Sequence, residues 1–396
     1  MLASLAVIIG VGMLLGAVAR RLNLPALIGY LLAGIFLGPF VLAWVHPIIL
    51  ELGSDIRRVA LIIILTRAGL NLNIQELRAA GRIPILMCFV PATVEIMAAV
   101  LFGPVILGFN LEQSLLVGSI LAAVSPAVVV PRMLQLIHDR RGVVKRIPQM
   151  VLAGSSADDV YVLVLFGAFL AMGQGQGFQL ASLLQIPAAL LSGILMGGLV
   201  GRLLVVLFDK TDLGVVYQSL LILAVSFALM TLEDLSGGYY SGMIAIITYN
   251  VVLHQQLLEL SQALSHQYNQ LWSVAELFLF FLVGVLVEPA YVVQAGWLPV
   301  VFVLVLSLCR MVGVAGILVG SDLTVKERLF TMISYLPKAT VQAGIGGVPL
   351  ALGIAGGEMM LTVAALSILI TAPVGAVLID YLSPRWLSQD HSRPEE

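Results

Sequence analysis

The sequence predicts an all-α membrane protein of thirteen transmembrane helices, built as two inverted repeats with one discontinuous helix in each. Three observations carry that expectation. Of 396 residues, 60% are hydrophobic and only 11% charged, and the mean hydropathy is +1.07, a composition outside the range of soluble domains. The apolar runs recur at about the twenty-residue length that crosses a bilayer as a helix. Two runs, the fifth and the twelfth, are interrupted by proline and glycine. Other classes find little support. There is no phosphate-binding loop, no Cys/His zinc spacing and no basic patch for nucleic acid. Cys88 and Cys309 lie in apolar runs and make no disulfide framework. No cofactor and no enzymatic chemistry are expected.

In chain order the spans are expected at 2–19, 25–46, 56–72, 83–108, 112–136, 148–172, 181–207, 214–233, 237–253, 270–288, 295–319, 324–353 and 357–382. The first reads as a span rather than a cleavable leader. The fourth carries an acid, Glu95, and the eleventh a base, Arg310. The fifth contains Ser125-Pro126-Ala127-Val128-Val129-Val130-Pro131. Each proline lacks an amide donor and crowds the carbonyl four residues back, so Ala122 and Ala127 should present free carbonyls beside the Ser125 hydroxyl. The sixth holds Asp158-Asp159 in the middle of an apolar run. The eighth ends at Glu233-Asp234, read as a solvated outer face, and the stretch from His254 to His266 reads as a short interfacial helix. Glu276 in the tenth is left open between lining a funnel, pairing with Arg67 and lying between protomers. The twelfth contains Pro337, Lys338, Gly344, Gly346 and Gly347. Broken backbone at membrane depth is tolerated only inside protein or beside a wet cavity. Arg132 reads as either a snorkelling side chain or the holder of a carboxylate, with the first favoured, His138 as an unremarkable loop residue, and 383–396 as a polar tail.

Spans one to six and eight to thirteen form two halves around the seventh. In that register the broken spans five and twelve match, the charged spans four and eleven match, and an odd connector inverts one half against the other. That is the plan of secondary transporters, whose sites lie near the midplane where discontinuous helices meet. Orientation follows from the basic residues. Fourteen follow or close odd-numbered spans: Arg20, Arg21, Arg78, Arg82, Arg140, Arg141, Lys145, Arg146, Arg202, Lys210, Lys326, Arg328, Arg385 and Arg393. Only Arg57 and Arg58 follow even-numbered ones. The positive-inside rule then places the amino terminus outside and the carboxyl terminus in the cytoplasm.

Two adjacent carboxylates in an apolar span are costly and mark a cation or proton site. Sodium and lithium are hard cations that want oxygen. Asp159, Asp158, Ser125, Ser155 and the freed carbonyls of the fifth span are the candidate ligands. Ser155 and Asp159 are four apart and share a helix face, whereas Asp158 and Asp159 diverge by about a quarter turn. Asp159 is therefore assigned as the principal carrier and Asp158 as a supporting ligand or ion-pair partner. Arg310 cannot release its proton, so protons must ride on a carboxylate where they compete with the cation. Glu95 and Arg310 are expected to pair, with Arg310–Asp158 as the rival. Lys338 faces either this cluster or the carboxyl ends of the half-helices. With Lys338 included, Asp158, Asp159 and Glu95 exceed Arg310 and Lys338 by one negative charge, which one proton or one monovalent cation neutralises. One-for-one, electroneutral exchange is the expectation.

Ser125-Pro126-Ala127-Val128-Val129-Val130-Pro131, Asp158-Asp159, Thr66-Arg67-Ala68-Gly69-Leu70 and Leu336-Pro337-Lys338-Ala339-Thr340-Val341-Gln342-Ala343 also resemble the monovalent cation/proton antiporters, most closely the NHA-type sodium/proton antiporter branch. The resemblance runs from the third span to the thirteenth. It implies a homodimer in which a core moves like an elevator against a dimerisation scaffold, with crossed broken helices beside the aspartates. Mapped onto this chain, 1–80 and 214–294 are scaffold, 81–172 and 295–382 core, 173–213 a linker helix and 383–396 a cytoplasmic tail. Electrogenic members with paired aspartates carry lysine where this chain has Arg310, a departure that fits electroneutral exchange.

Other functions compete with antiport. A sodium-coupled organic-anion symporter shares the broken-helix plan and would need a larger polar cavity. An intramembrane aspartyl protease needs aspartates facing each other from different helices and a Gly-x-Gly-Asp run, which is missing. A passive channel suits a buried, compensated carboxylate poorly.

Overall fold

A computed structural model describes residues 1–72, 81–173, 180–211, 213–236 and 239–389. Arg78 and Arg393 of the orientation argument lie outside them. The described residues form helices joined by short turns, with no strand beyond an isolated bridge between Arg141 and Gln389. We number the helices α1 Leu2–Arg21, α2 Ala26–Leu37, α3 Pro47–Glu51, α4 Gly53–Asn71, α5 Arg82–Met87, α6 Val90–Ile106, α7 Leu111–Leu121, α8 Pro126–His138, α9 Ile147–Gly173, α10 Leu180–Lys210, α11 Val215–Leu235, α12 Gly242–Gln256, α13 Leu258–Leu286, α14 Pro289–Ala295, α15 Leu298–Leu318, α16 Val325–Ser334, α17 Thr340–Ile345, α18 Val348–Ala351 and α19 Gly357–Trp386. Among the described residues, nine helices, counting α5 with α6 and α7 with α8 as one each, are long and apolar enough to cross a membrane.

Several boundaries differ from the sequence expectation, for local reasons. The second span is helical only over the 12 residues of α2, because Gly38 leaves the helix extended and Pro39 follows it. The fourth span is interrupted at Cys88 and Phe89, a break that the sequence reading did not anticipate. Pro91 is the cause: it sits in the first turn of α6 and crowds the carbonyl of Met87, where α5 ends. No separate interfacial helix follows α12. The chain turns at Leu257 and runs as one 29-residue helix, α13, into the expected tenth span. His254 Nδ1 meets Ser261 Oγ at 3.1 Å across that turn. At the other end, α19 continues past Ser383 to Trp386.

Charges expected to be idle are engaged. Asp234 pairs with Arg58 at 2.7 Å. Glu233 accepts from the Gly242 and Met243 amides at 2.9 and 3.3 Å, satisfying the free donors that open α12. Arg132 takes the less favoured of its two readings and holds a carboxylate: its Nε and Nη2 meet Asp380 at 3.1 and 3.2 Å, tying α8 to α19.

One set of helices packs around α4 and α13: α2 on α1 and α13, α12 on α4 and α10. A second packs around α9 and α19: α6 on α7 and α15, α9 on α5, α7 and α8, α19 on α15 and α16. In lipid, apolar surface gives helices little reason to associate, and small residues that let backbones approach take over. A Cβ on Gly193, Gly197 or Gly201 of α10 would stand 2.7 Å from Ser241 O, 2.5 Å from Ala245 O and 2.8 Å from Val252 Cβ of the α12 segment, one contact per helical turn. At the α2–α13 crossing, a Cβ on Gly34 would strike the Phe281 carbonyl and one on Gly284 the Leu31 carbonyl.

Gly284→Val should therefore lower the unfolding temperature in detergent by the equivalent of roughly 1–3 kcal/mol or more. Gly10→Val, where a Cβ meets nothing within 4 Å, should leave it unchanged. Equal melting curves for the two variants would contradict the packing described.

Candidate functional site

The site is assembled by two breaks in the backbone. Pro126 cannot donate an amide and crowds the Ala122 carbonyl, so α7 ends at Leu121, Ala122–Ser125 leave the helix, and α8 restarts with Pro126 in its first turn. Pro131 is accommodated inside α8 without ending it. In the twelfth span α16 ends at Ser334, Tyr335–Ala339 are non-helical, and α17 restarts at Thr340 with Gly344 buried inside its single short run. The two breaks cross. The Ser125 amide donates to the Pro337 carbonyl at 2.7 Å, and the Lys338 amide donates to Thr371 Oγ1 of α19 at 2.9 Å.

Interrupted helices leave carbonyls without partners and a partial negative charge at each carboxyl end. Buried cations and one amide meet that need. Leu121 O accepts from Lys338 Nζ at 2.6 Å and from Gln342 Nε2 at 3.3 Å. Ala123 O accepts from Gln342 Nε2 at 3.0 Å. Ala122 O accepts from Arg310 Nη1. Arg310 Nε donates to Tyr335 O at 3.0 Å, capping the end of α16 as well.

The same cations hold two carboxylates. Arg310 Nη2 is 2.7 Å from Asp158 Oδ2 and Arg310 Nη1 is 3.1 Å from Glu95 Oε2. Lys338 Nζ is 2.5 Å from Glu95 Oε1. Asp158 Oδ2 also accepts from the Val124 amide at 2.8 Å. The rival pairings of Arg310 are thus made at once by one guanidinium, and the two alternatives for Lys338 are also made together. All four side chains are buried. Their formal charges, two negative and two positive, cancel within the cluster.

Asp159 stands outside that cluster. It is 3% exposed, and its Oδ1 has no hydrogen-bond partner. Asp158 Oδ1 and Ser125 Oγ are likewise buried and unpartnered. Ser155 is buried, but its hydroxyl donates to Leu152 O at 3.1 Å, one turn back on its own helix. Arg67 lies within electrostatic reach of both Asp159 and Glu276. It makes no ion pair with Glu276, however: its Nε donates to Asn269 Oδ1 at 2.8 Å, and the guanidinium lies 5.4 Å from the Trp272 ring. Sequence reasoning missed Gln342, Tyr335 and Thr371. Gln342 alone had a signal, being four residues after Lys338 and so on the same side of that span.

Comparison with known proteins bears on the family and the fold. The model of the family "Sodium/hydrogen exchanger, transmembrane" matches residues 5–382. Sodium/hydrogen exchanger 9B1 of Mus musculus is 34% identical over 381 residues, covering 92% of this chain and 66% of its own length. Sodium/hydrogen exchanger 9B2 of Homo sapiens is 31% identical over 386 residues, covering 94% of this chain and 72% of its own. The structure of the sodium proton antiporter MjNhaP1 from Methanocaldococcus jannaschii at pH 8 superposes with a TM-score of 0.80, over 97% of this chain and 98% of that one, at 18% identity. That likeness concerns the fold.

Two tests probe the site's construction. Glu95→Gln strips the carboxylate shared by Arg310 and Lys338, and breaking such a buried cluster should cost roughly 3–5 kcal/mol. Unfolding monitored in detergent should show it, and an unchanged melting temperature would contradict the network. Gly154 lies under the Tyr335 hydroxyl, so Gly154→Ala drives a methyl into that oxygen and to 2.9 Å from Met87 Cβ. Gly154→Ala should destabilise, and Tyr335→Phe, which removes a hydroxyl that has no partner, should partly rescue it in the double variant. A double variant no more stable than Gly154→Ala alone would refute the contact.

Proposed function

The chain belongs to the sodium/hydrogen exchanger family, within the monovalent cation/proton antiporters, and on that premise we propose that it exchanges sodium or lithium for protons across the membrane at Asp159. The observation that carries the reading is the isolation of that carboxylate. Asp158, Glu95, Arg310 and Lys338 cancel one another, and among the described residues Asp159 alone is a buried carboxylate with a free oxygen and no ion pair, Arg67 lying within electrostatic reach only. A lone carboxylate in an apolar interior must be neutralised. One proton does it, or one monovalent cation, but not both. Mutual exclusion at a site reached alternately from each side is sufficient for coupled exchange.

Arg310 does not take part in proton transfer, because a guanidinium stays charged. Its role is to hold Asp158 and the two helix ends in place. Asp158 supports the cation through Oδ1, and Ser125 through Oγ. Ser155 contributes its hydroxyl oxygen only as an acceptor, since its proton is committed to Leu152. Because each turnover replaces one positive charge by another, exchange is one-for-one and electroneutral. We further propose thirteen spans in two inverted six-helix repeats, with the amino terminus outside and the carboxyl terminus in the cytoplasm of the cell that holds the protein in its surface membrane. The set of helices around α9 and α19 then forms the moving core, and the set around α4 and α13 the scaffold through which two copies pair.

The test is exchange in proteoliposomes loaded with a pH-sensitive dye. Wild type should move protons against sodium at a rate independent of an imposed membrane potential. Asp159→Asn should reduce the rate to that of empty vesicles, and Asp158→Asn should cripple it. Full activity of Asp159→Asn would overturn the assignment of the site, and exchange that itself generates a potential would overturn electroneutrality.

A further inference from the structure

We propose that Gln342 supplies a ligand oxygen to the transported cation, so that the site is closed from the twelfth span as well as from the fifth and sixth. The proposal deepens the antiport reading and rests on it. Three unpartnered oxygens belong to groups anchored on the break in the fifth span. Ser125 Oγ is carried by the break itself. Asp158 Oδ1 is the free oxygen of a carboxylate whose other oxygen accepts from the Val124 amide. Gln342 Oε1 is the free end of an amide whose nitrogen donates to Ala123 O and Leu121 O. The three acceptors are thus carried by groups tied to three consecutive residues, Ala123, Val124 and Ser125. All three side chains are 0% exposed.

Buried acceptors are almost always satisfied, and orphans ask for an explanation. A packing role accounts for the Gln342 nitrogen, which caps two carbonyls, but not for its oxygen. Were capping the whole of its role, the oxygen would be buried at a loss in a segment where it meets no donor. A cluster of oxygens left unpaired suits a small hard cation, which needs several oxygens at once and uses neutral ones to complete a shell begun by a carboxylate. The amide is well suited to that role. Its two donor contacts fix the carbonyl direction before the cation arrives, so little ordering is required on binding.

The test uses Gln342→Met and Gln342→Asn in the full-length protein, reconstituted as above, with sodium, lithium and thallous ion as the probes. Methionine keeps the length of the side chain and replaces a hard oxygen by a soft sulfur. A ligand role predicts that the half-saturating sodium and lithium concentrations rise about tenfold, as for one lost interaction with a charged group, while thallous ion, which is soft, is affected less. The ratio of sodium to thallous half-saturation therefore shifts. A purely structural role would change the maximal rate and the melting temperature and leave the ratio where it was, and that result would overturn the proposal. Should Gln342→Met fail to fold, Gln342→Asn carries the test: it keeps both amide groups but withdraws the oxygen by one methylene, and should shift sodium against lithium. Unaltered selectivity there would equally overturn it. Failure of the underlying reading looks different: Asp159→Asn would then retain exchange whatever the Gln342 variants do.

Discussion

Everything at the centre of this molecule follows from one constraint: a backbone broken inside a membrane must find its hydrogen bonds within the protein. Pro126 and Pro337 impose two breaks, and the chain answers first by crossing them, with the Ser125 amide on the Pro337 carbonyl at 2.7 Å. The carbonyls of Leu121, Ala122, Ala123 and Tyr335 remain, and three side chains from two other segments reach them. Two of the three, Arg310 and Lys338, bring positive charge to the negative ends of half-helices. The cations are thus needed by the backbone before any question of ion transport arises.

Positive charges buried for that purpose create the next demand. Glu95 and Asp158 meet it, each bonded to Arg310, with Glu95 reaching Lys338 as well. Such a cluster adds little net stability over an apolar filling, but it cannot lose a member cheaply. Its value here is positional. It fixes Asp158 Oδ2 on the Val124 amide and so places the next residue, Asp159, beside the crossing but outside the ion pairs. The chain of causes runs from proline to carbonyl, carbonyl to cation, cation to acid, and leaves one carboxylate over.

Much of this was legible in the sequence, and the part that was not has a physical reason. The two breaks, the buried acids and the buried bases are compositional facts about apolar runs, and they survive in the structure because lipid allows few alternatives. Spacing alone leaves the pairing of Arg310 open between Glu95 and Asp158, since a single guanidinium with five donors can serve both. The interruption at Cys88–Phe89 went unread because Pro91, near the start of a long apolar run, looks like an ordinary first-turn proline. The contacts of Arg132 with Asp380 and of Glu233 with the start of α12 join residues far apart in the chain, and pattern along one helix carries no information about them. Gln342 was passed over because an amide in a glycine-rich stretch does not stand out until its nitrogen is seen on two free carbonyls.

On the proposed reading, with Asp159 as the carrier, coupling can be understood as a matter of completeness. Within the crossing the carbonyls of Leu121, Ala122, Ala123 and Tyr335 are met by side chains, while Asp159 Oδ1, Asp158 Oδ1, Ser125 Oγ and Gln342 Oε1 stay unpartnered, as do the hydroxyls of Tyr335 and Thr340. In that reading, a core in which Asp159 is charged and empty carries an ion with no contacting partner, and moving it past an apolar boundary is strongly opposed. A proton removes that charge, and a cation removes it while also meeting the free oxygens. Both loaded forms are electrically neutral as a unit, whereas the empty form is not. If Asp159 is the carrier as proposed, selectivity for movement needs no separate gate that senses occupancy: the same electrostatics that leave Asp159 unpaired would make the empty carrier the slow one, and strict exchange would be the consequence.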